Sequence, residues 1–426
     1  MATTIVNARV FDGENLRLWT SVRFEGGVIT DCAERSAAMP GDEAVDAAGG
    51  TLLPGLIDAH IHLLPGALEQ SLLFGVTTVL DMFSKPETVA AARDRAIRGG
   101  AADVRSSGIG ATAPGGHPSL IYAPFPTVTG PEQAAGFVAD RMVEGVDYLK
   151  MIAESGGSAA FTRPSLDAAT ITALTAAAHA RGLKVVAHAT SAAAVATVAA
   201  AGVDVIAHVP VREELADELV TRLAETGTVV CPTLATAENT LGERGDAAVA
   251  NDPALGPHLG SAWVERLTRD RSRDRRGMPP YALVEHNVAR LIAAGVCLLA
   301  GTDAPIPSTV YGASLHRELE LLVRCGLTPA QALTAATASP ARVFGLTDRG
   351  RIAIDQTADL VLVAGDPLTD IAVTRSITTI WRAGIACDRH AFPGSPAESE
   401  ELAALEALDT QAAKVMAAIR HGRTGS

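Results

Sequence analysis

Lysine is nearly missing from this chain. Of 35 basic residues only Lys85, Lys150, Lys184 and Lys414 are lysine. A lysine placed inside an apolar segment, as Lys150 is, therefore carries information. The five cysteines are scattered and no Cys-x-x-Cys pair occurs, so a disulfide framework is not expected and a reduced, cytoplasmic protein is. No basic segment followed by an apolar one opens the sequence, which argues against a signal peptide. No apolar run reaches the length of a membrane span, so no membrane partner is expected. No Gly-x-Gly-x-x-Gly follows a strand pattern, which counts against an open dinucleotide-binding sheet. Excess positive charge is absent too: the net charge of -13 argues against nucleic acid or an acidic membrane surface as partner.

What the chain does have is apolar residues, 48% of the total, enough for a sizeable core. Its 426 residues suit one large barrel with a smaller module. Both ends read as short strands with turns. Thr4–Ala8, Ser21–Phe24, Val28–Cys32 and Gly50–Leu53 stand at one end, with Gly26-Gly27 as a hairpin turn; Arg351–Ile354, Asp359–Ala364, Thr378–Arg382 and Ile385–Cys387 stand at the other. Neither set makes a stable sandwich alone. Residues 1–54 plus 348–391 are therefore expected to pair into one small β-sandwich.

Between them strands and helices alternate over residues 55–347. Gly55–His60, Val76–Asp81, Val104–Ala111, Tyr148–Ile152, Lys184–His188, Val203–His208, Val229–Thr233 and Val296–Thr302 read as strands. Pro86–Arg98, Pro131–Glu144, Asp167–Ala180, Ser191–Ala200, Arg212–Glu225 and Tyr281–Ala294 read as helices. Apolar strands alternating with helices indicate a parallel sheet, and eight repeats predict an α/β fold of the closed (β/α)8 TIM-barrel type. Residues 240–280 carry a charged run from Arg266 to Arg276 between the last two strands. It reads as a solvated helix of alternating charge, or as a lid over the barrel mouth. Residues 397–421 read as an amphipathic C-terminal helix suited to docking or to contact in a homo-oligomer.

The polar residues that end the strands are the chemistry-bearing ones. His60 and His62 alternate on the first strand and so point to one side. His188 and His208 end two consecutive apolar strands, and Asp303 follows the eighth in Gly-Thr-Asp-Ala. Either of those histidines alone reads as a hydrogen-bonded core residue, and Asp303 as a helix cap. Together they read as ligands of zinc or a similar cation. Lys150 lies between Leu149 and Met151, and a buried amine is costly unless neutralised or paired. Such an amine can react with carbon dioxide to give a carbamate, an anionic two-oxygen group able to bridge two cations.

These segments resemble the amidohydrolase superfamily, in its binuclear branch with a carboxylated lysine. The resemblance rests on Pro-Gly-Leu-Ile-Asp-Ala-His-Ile-His (54–62), Asp147-Tyr148-Leu149-Lys150, Ala187-His188, Ala207-His208, Gly301-Thr302-Asp303, Ala335 through Ala341, and Ala358-Asp359-Leu360-Val361. It implies two divalent ions, zinc by default. His60, His62 and Asp303 would hold the more buried one, His188 and His208 the other, and carboxylated Lys150 would bridge them. It also implies a bridging hydroxide held between cations about 3.5–4 Å apart, with Asp303 as general base and acid. The chain is most similar to the imidazolonepropionase-like and Xaa-Pro-dipeptidase-like group. Gly115-Gly116-His117 and Ser314-Leu315-His316-Arg317-Glu318-Leu319 belong to that pattern. There His117 would hydrogen-bond the oxyanion, and His316 would orient Asp303 or line the pocket. Tyr122, Phe125 and Tyr281 are candidate apolar walls of the substrate site.

Two positions depart from the dipeptidase pattern: Thr190 stands in place of a tyrosine and Ala207 in place of an acid. The expected activity is hydrolysis of an amide-type C–N bond in a small molecule. Lactone, ester or carbamate hydrolysis on the same site is the alternative; deamination and Xaa-Pro dipeptide cleavage rank below it. A one-metal deaminase has no need of Lys150.

Overall fold

In the computed structural model the structure describes residues 2–34, 38–119, 123–154, 164–269, 279–305, 309–390 and 392–422. Seven parallel strands carry the centre of the α/β fold: β1 (Leu56–Ile61), β2 (Val76–Asp81), β3 (Asp103–Ser106), β4 (Leu149–Ile152), β5 (Val185–His188), β6 (Val205–Ala207) and β7 (Val229–Cys231). They form two sheets, ordered β3-β2-β1 and β4-β5-β6-β7. Nearly every residue of β1, β2, β4, β6 and β7 is buried, as apolar runs covered on both faces require. The intervening helices match the expected ones closely: Pro86–Ile97, Ala134–Val143, Ala168–His179, Ala192–Ala200, Asp217–Thr226 and Ala282–Ala293. Asp167 and Ser191 cap two of them by accepting from Thr170 and Ala194 N–H groups.

A continuous eight-stranded ladder does not form among the described residues. Isolated bridges Ala111↔Met151, Val230↔Leu298 and Ile61↔Ala304 join the edges instead. Backbone geometry accounts for this. Gly108 takes φ 59° and ends the ladder of β3. Residues 296–302 stay close to both neighbours without becoming a strand: Leu299 N–H donates to Val230, Ala59 N–H to Ala300, and Asp303 N–H to His60. Asp303 then turns into the left-handed region at φ 59°. Gly301 is needed here, since a Cβ would lie 2.5 Å from Cys231 Sγ and 2.8 Å from the His60 nitrogen.

The chain ends build two further sheets. One contains N-terminal strands only, with Thr3–Val6 and Ser21–Glu25 at its centre and Val28–Ala33 and Glu43–Asp46 at its edges. In the other, Leu360–Val363 pairs antiparallel with Thr51–Pro54 and with Ile377–Arg382. Both sheets contribute to one apolar cluster that includes Ile5, Val22, Phe24, Leu52, Leu360 and Trp381. Arg9–Phe11, Leu16–Arg17 and Glu43–Asp46 are strands that the sequence reading leaves out. Arg351–Ile354, expected as a strand, runs through a bend and a turn, held by the Ile352 N–H to the Asp12 carbonyl.

Residues 240–269 fold into short helices rather than one solvated helix. Trp263 and Leu267 are fully buried in a cluster with Phe74, Ala313 and Leu405, the last from the C-terminal helix Pro396–Gly422. This lobe packs on the flank of the central domain, and none of its described residues lines the cavity that gathers the histidines. The charged run from residue 270 onward lies outside the described residues. Among the described residues no helix is long and apolar enough to cross a membrane.

Candidate active site

Every strand-end residue singled out in the sequence arrives at one place. A cavity of about 140 Å³ is lined by His60, His62, His117, Lys150, His188, His208 and Asp303, with Phe83, Pro118 and Ile152 as its apolar walls. Parallel strands explain the convergence: all present their carboxyl ends on the same side. Nε2 of His60 and Nε2 of His62 lie 3.3 and 3.1 Å from Oδ1 of Asp303. The rings of His60 and His208 are 5.1 Å apart, and those of His188 and His208 are 4.5 Å apart. His117 stacks on His188 at 5.1 Å with the planes 28° apart. Ligand atoms of His60, His208 and Asp303 all lie within 4.8 Å of one another.

The electrostatics suit a cation. Burial holds His60 and His188 well below the ordinary imidazole range and pushes His208 down to about 4, so all three are neutral donors at pH 7. Burial alone would raise Asp303, but the neighbouring His60 and hydrogen bonds from His60 and His62 hold it well below the usual carboxylate range. Lys150 is 1% exposed, and burial lowers its ammonium to about 8. Among the described residues its Nζ has no hydrogen-bond partner, and neither do Nδ1 of His60 and Nε2 of His188. Buried polar atoms of this kind are costly unless something else satisfies them. A divalent ion with N and O ligands fits this donor set.

Positions one layer out were not legible in the sequence. Buried Asp58 accepts from Thr302 Oγ1 at 2.7 Å, Thr302 N–H at 3.0 Å and His60 N–H at 3.2 Å, tying β1 to the segment that carries Asp303. Burial raises its carboxyl to about 7. Thr233, just past β7, holds φ 50°, rare for a β-branched residue and costing about 1–3 kcal/mol. His208 stands at φ 73°, so three residues at the site share the left-handed region. Nδ1 of His208 lies 2.7 Å from Oγ1 of Thr233. Phe83, at 5.1 Å edge-on from Phe125, is a wall that no spacing rule marks.

Two expected positions fall elsewhere. His316 is fully buried on Ala313–Arg324, with its nitrogens 3.0 Å from Thr374 Oγ1 and 2.9 Å from the Phe74 carbonyl. It neither orients Asp303 nor lines the cavity, because its helix face turns toward the small helix at 371–375. Tyr281 packs under the Arg324 guanidinium, away from the site. Tyr122 lies outside the described residues.

Known proteins similar to this chain bear on its family. The amidohydrolase family model matches residues 51–386. An imidazolonepropionase of Deinococcus deserti is 41% identical over 100 residues, 22% of this chain and 25% of that protein. The chain thus spans about a quarter of the length of that curated relative. An uncharacterized protein of Mycobacterium bovis is 29% identical over 339 residues, 75% of this chain and 80% of the relative. Among solved structures, a Xaa-Pro dipeptidase with methionine bound in its active site superposes with a TM-score of 0.73 at 21% identity, covering 91% of this chain and 100% of its own. With the family match running from before the first site strand to past the last, the chain belongs to the amidohydrolase family of enzymes.

Proposed function

We propose that the protein is a metal-dependent hydrolase of an amide-type C–N bond in a small molecule, working in the cytoplasm. The observation that carries this reading is the gathering of five histidines, Lys150 and Asp303 on one small cavity. His60, His62 and Asp303 would hold one divalent ion, His188 and His208 a second, and Lys150 would bridge them once carboxylated; zinc suits these ligands. Bound there, the ions supply a water acidified toward neutral pH and a pull on the substrate carbonyl. The buried Lys150 amine, without a hydrogen-bond partner among the described residues, supports the carbamate, since only the neutral amine adds carbon dioxide.

The chain's own residues do the rest. Asp303 is ionised at pH 7, so its carboxylate can take the proton of the attacking water and hand it to the leaving nitrogen. His117, stacked on His188 at the cavity wall, would donate to the carbonyl oxygen as charge builds on it. Phe83, Pro118 and Ile152 exclude water and favour an apolar acyl or leaving group. Apart from Lys150, no described lining residue is cationic, which weighs against a substrate held by its carboxylate and keeps lactone, ester or carbamate cleavage as a second reading. The five free cysteines support a reducing compartment.

Hydrolysis profiling of the purified protein against N-acyl amino acids, dipeptides, carbamates and lactones tests the reaction class; turnover of none would overturn it. For the centre itself, about two zinc ions per chain are expected, falling toward one in His188→Ala/His208→Ala. A stoichiometry untouched by that double change would remove these histidines from it.

A further inference from the structure

A metal-binding histidine needs its second ring nitrogen fixed, or its tautomer and ring orientation are left open. For His208 the partner is a hydroxyl, Thr233 Oγ1, 2.7 Å from Nδ1. The hydroxyl is there only because the backbone at Thr233 is bent into the left-handed region at φ 50°. Three contacts impose that bend. Glu318, fully buried, accepts from the N–H groups of Leu234 at 3.0 Å and Ala235 at 2.7 Å, the first two residues of the helix that follows. The Thr233 carbonyl takes the N–H of Ala237 at 3.1 Å. Thr236 Oγ1 donates to the Thr302 carbonyl at 2.8 Å, beside Asp303. Strained backbone persists where its surroundings over-determine it, and such sites cluster where orientation matters.

We propose that Thr233 is a positioning residue: its hydroxyl accepts from Nδ1–H of His208, so that the unprotonated Nε2 faces the cavity, and Glu318 holds Thr233 in the bend that makes this possible. The proposal rests on His208 being a metal ligand, as argued above. It predicts that Glu318 acts on the centre without touching it, through the first turn of the helix Leu234–Leu241.

The test compares zinc affinity of metal-stripped protein by competition with a chromophoric chelator, alongside the thermal midpoint without metal and the visible spectrum of the cobalt-loaded form. Thr233→Gly is the informative change, because glycine takes a φ near 50° freely while removing the hydroxyl. Thr233→Ser keeps the hydroxyl. Expected is a loss of about 10- to 100-fold in affinity for one ion in T233G, with a shifted cobalt spectrum and an unlowered midpoint. T233S should bind within about threefold of wild type, as hydroxyl-for-hydroxyl replacement in one geometry implies. If wild type binds two ions and T233G binds them equally well, Thr233 has no such role while the metal site stands. T233S as weak as T233G overturns the role as well. Wild-type protein that binds no zinc removes both the site and this inference.

Discussion

The two ends of the central strands are built on opposite terms. At the amino ends most charges are paired, with Asp359 Oδ2 and Arg382 Nε the atoms left without a hydrogen bond among the described residues. Arg349, 7% exposed, meets Asp103, Asp348 and Thr78 Oγ1, and Arg382 reaches Asp359 at 3.0 Å. These pairs bolt the start of β3 to the C-terminal segment. At the carboxyl ends the polar groups are as deeply buried, yet among the described residues Lys150 Nζ, His60 Nδ1 and His188 Nε2 have no hydrogen-bond partner, and His208, Thr233 and Asp303 hold left-handed backbone. One end uses most of its polar residues for cohesion; the other leaves several without a hydrogen bond among the described residues, as the proposed ligand site would require, at a cost in stability.

That contrast can be broken from either side. The largest effect is expected at Asp303. Asp303→Asn should lower kcat by about 10²- to 10⁴-fold, the usual worth of a positioned base, with little change in fold; a loss under tenfold would mean that another group moves the proton. At the other end Arg349→Ala removes the buried guanidinium shared by Asp103 and Asp348, leaving Asp103 to Arg105 and Asp359 to Arg382, and should cost about 1.5–3 kcal/mol in urea unfolding, while kcat per folded molecule stays level. Unchanged stability there would show the network to be ornamental.

Lys150→Met sharpens the comparison by separating the two properties. It should abolish activity yet leave the metal-free thermal midpoint unchanged or a few degrees higher, because a buried unpartnered amine is replaced by an apolar chain of similar length. A midpoint well below wild type would mean that Lys150 has a structural partner. The smallest effect is acid titration at the amino ends. The Arg349 guanidinium holds the Asp348 carboxyl down to about 2, below its unfolded value near 4. Its contribution is therefore complete above about pH 4 and lost as pH falls through about 2. Acid unfolding of Asp348→Asn should show a shallower dependence across that window; an identical profile would discount the pair.

How far the sequence could be read follows from the same contrast. The proposed ligands stood out because an apolar strand that ends on His, Lys or Asp breaks its own pattern, so His60, Lys150, His188, His208 and Asp303 announced themselves. Thr233 did not, since a threonine after a strand is unremarkable and its φ is invisible in the sequence. His316 misled for a related reason. Its neighbours match a family pattern, but its direction is set by Thr374 and Phe74, which lie far away along the chain. The eighth strand looked regular because its residues are apolar; Gly301 and the turn at Asp303 decided otherwise.

The pairing of Thr51–Pro54 with Leu360–Val363 sets an order of events during synthesis. The strand that delivers His60 begins two residues beyond Pro54; Arg9 and Val10 can pair with Thr51 and Leu52 early, but the other edge of that anchor closes only after the ribosome has made residue 363. Asp303 also emerges late. His60 and Asp303 meet across the cavity yet come from opposite ends of the central domain, so the site is complete only once most of the chain is made. Long-range closure of this sort is slow relative to local helix formation, so the cavity is completed in the finished protein rather than on its growing chain.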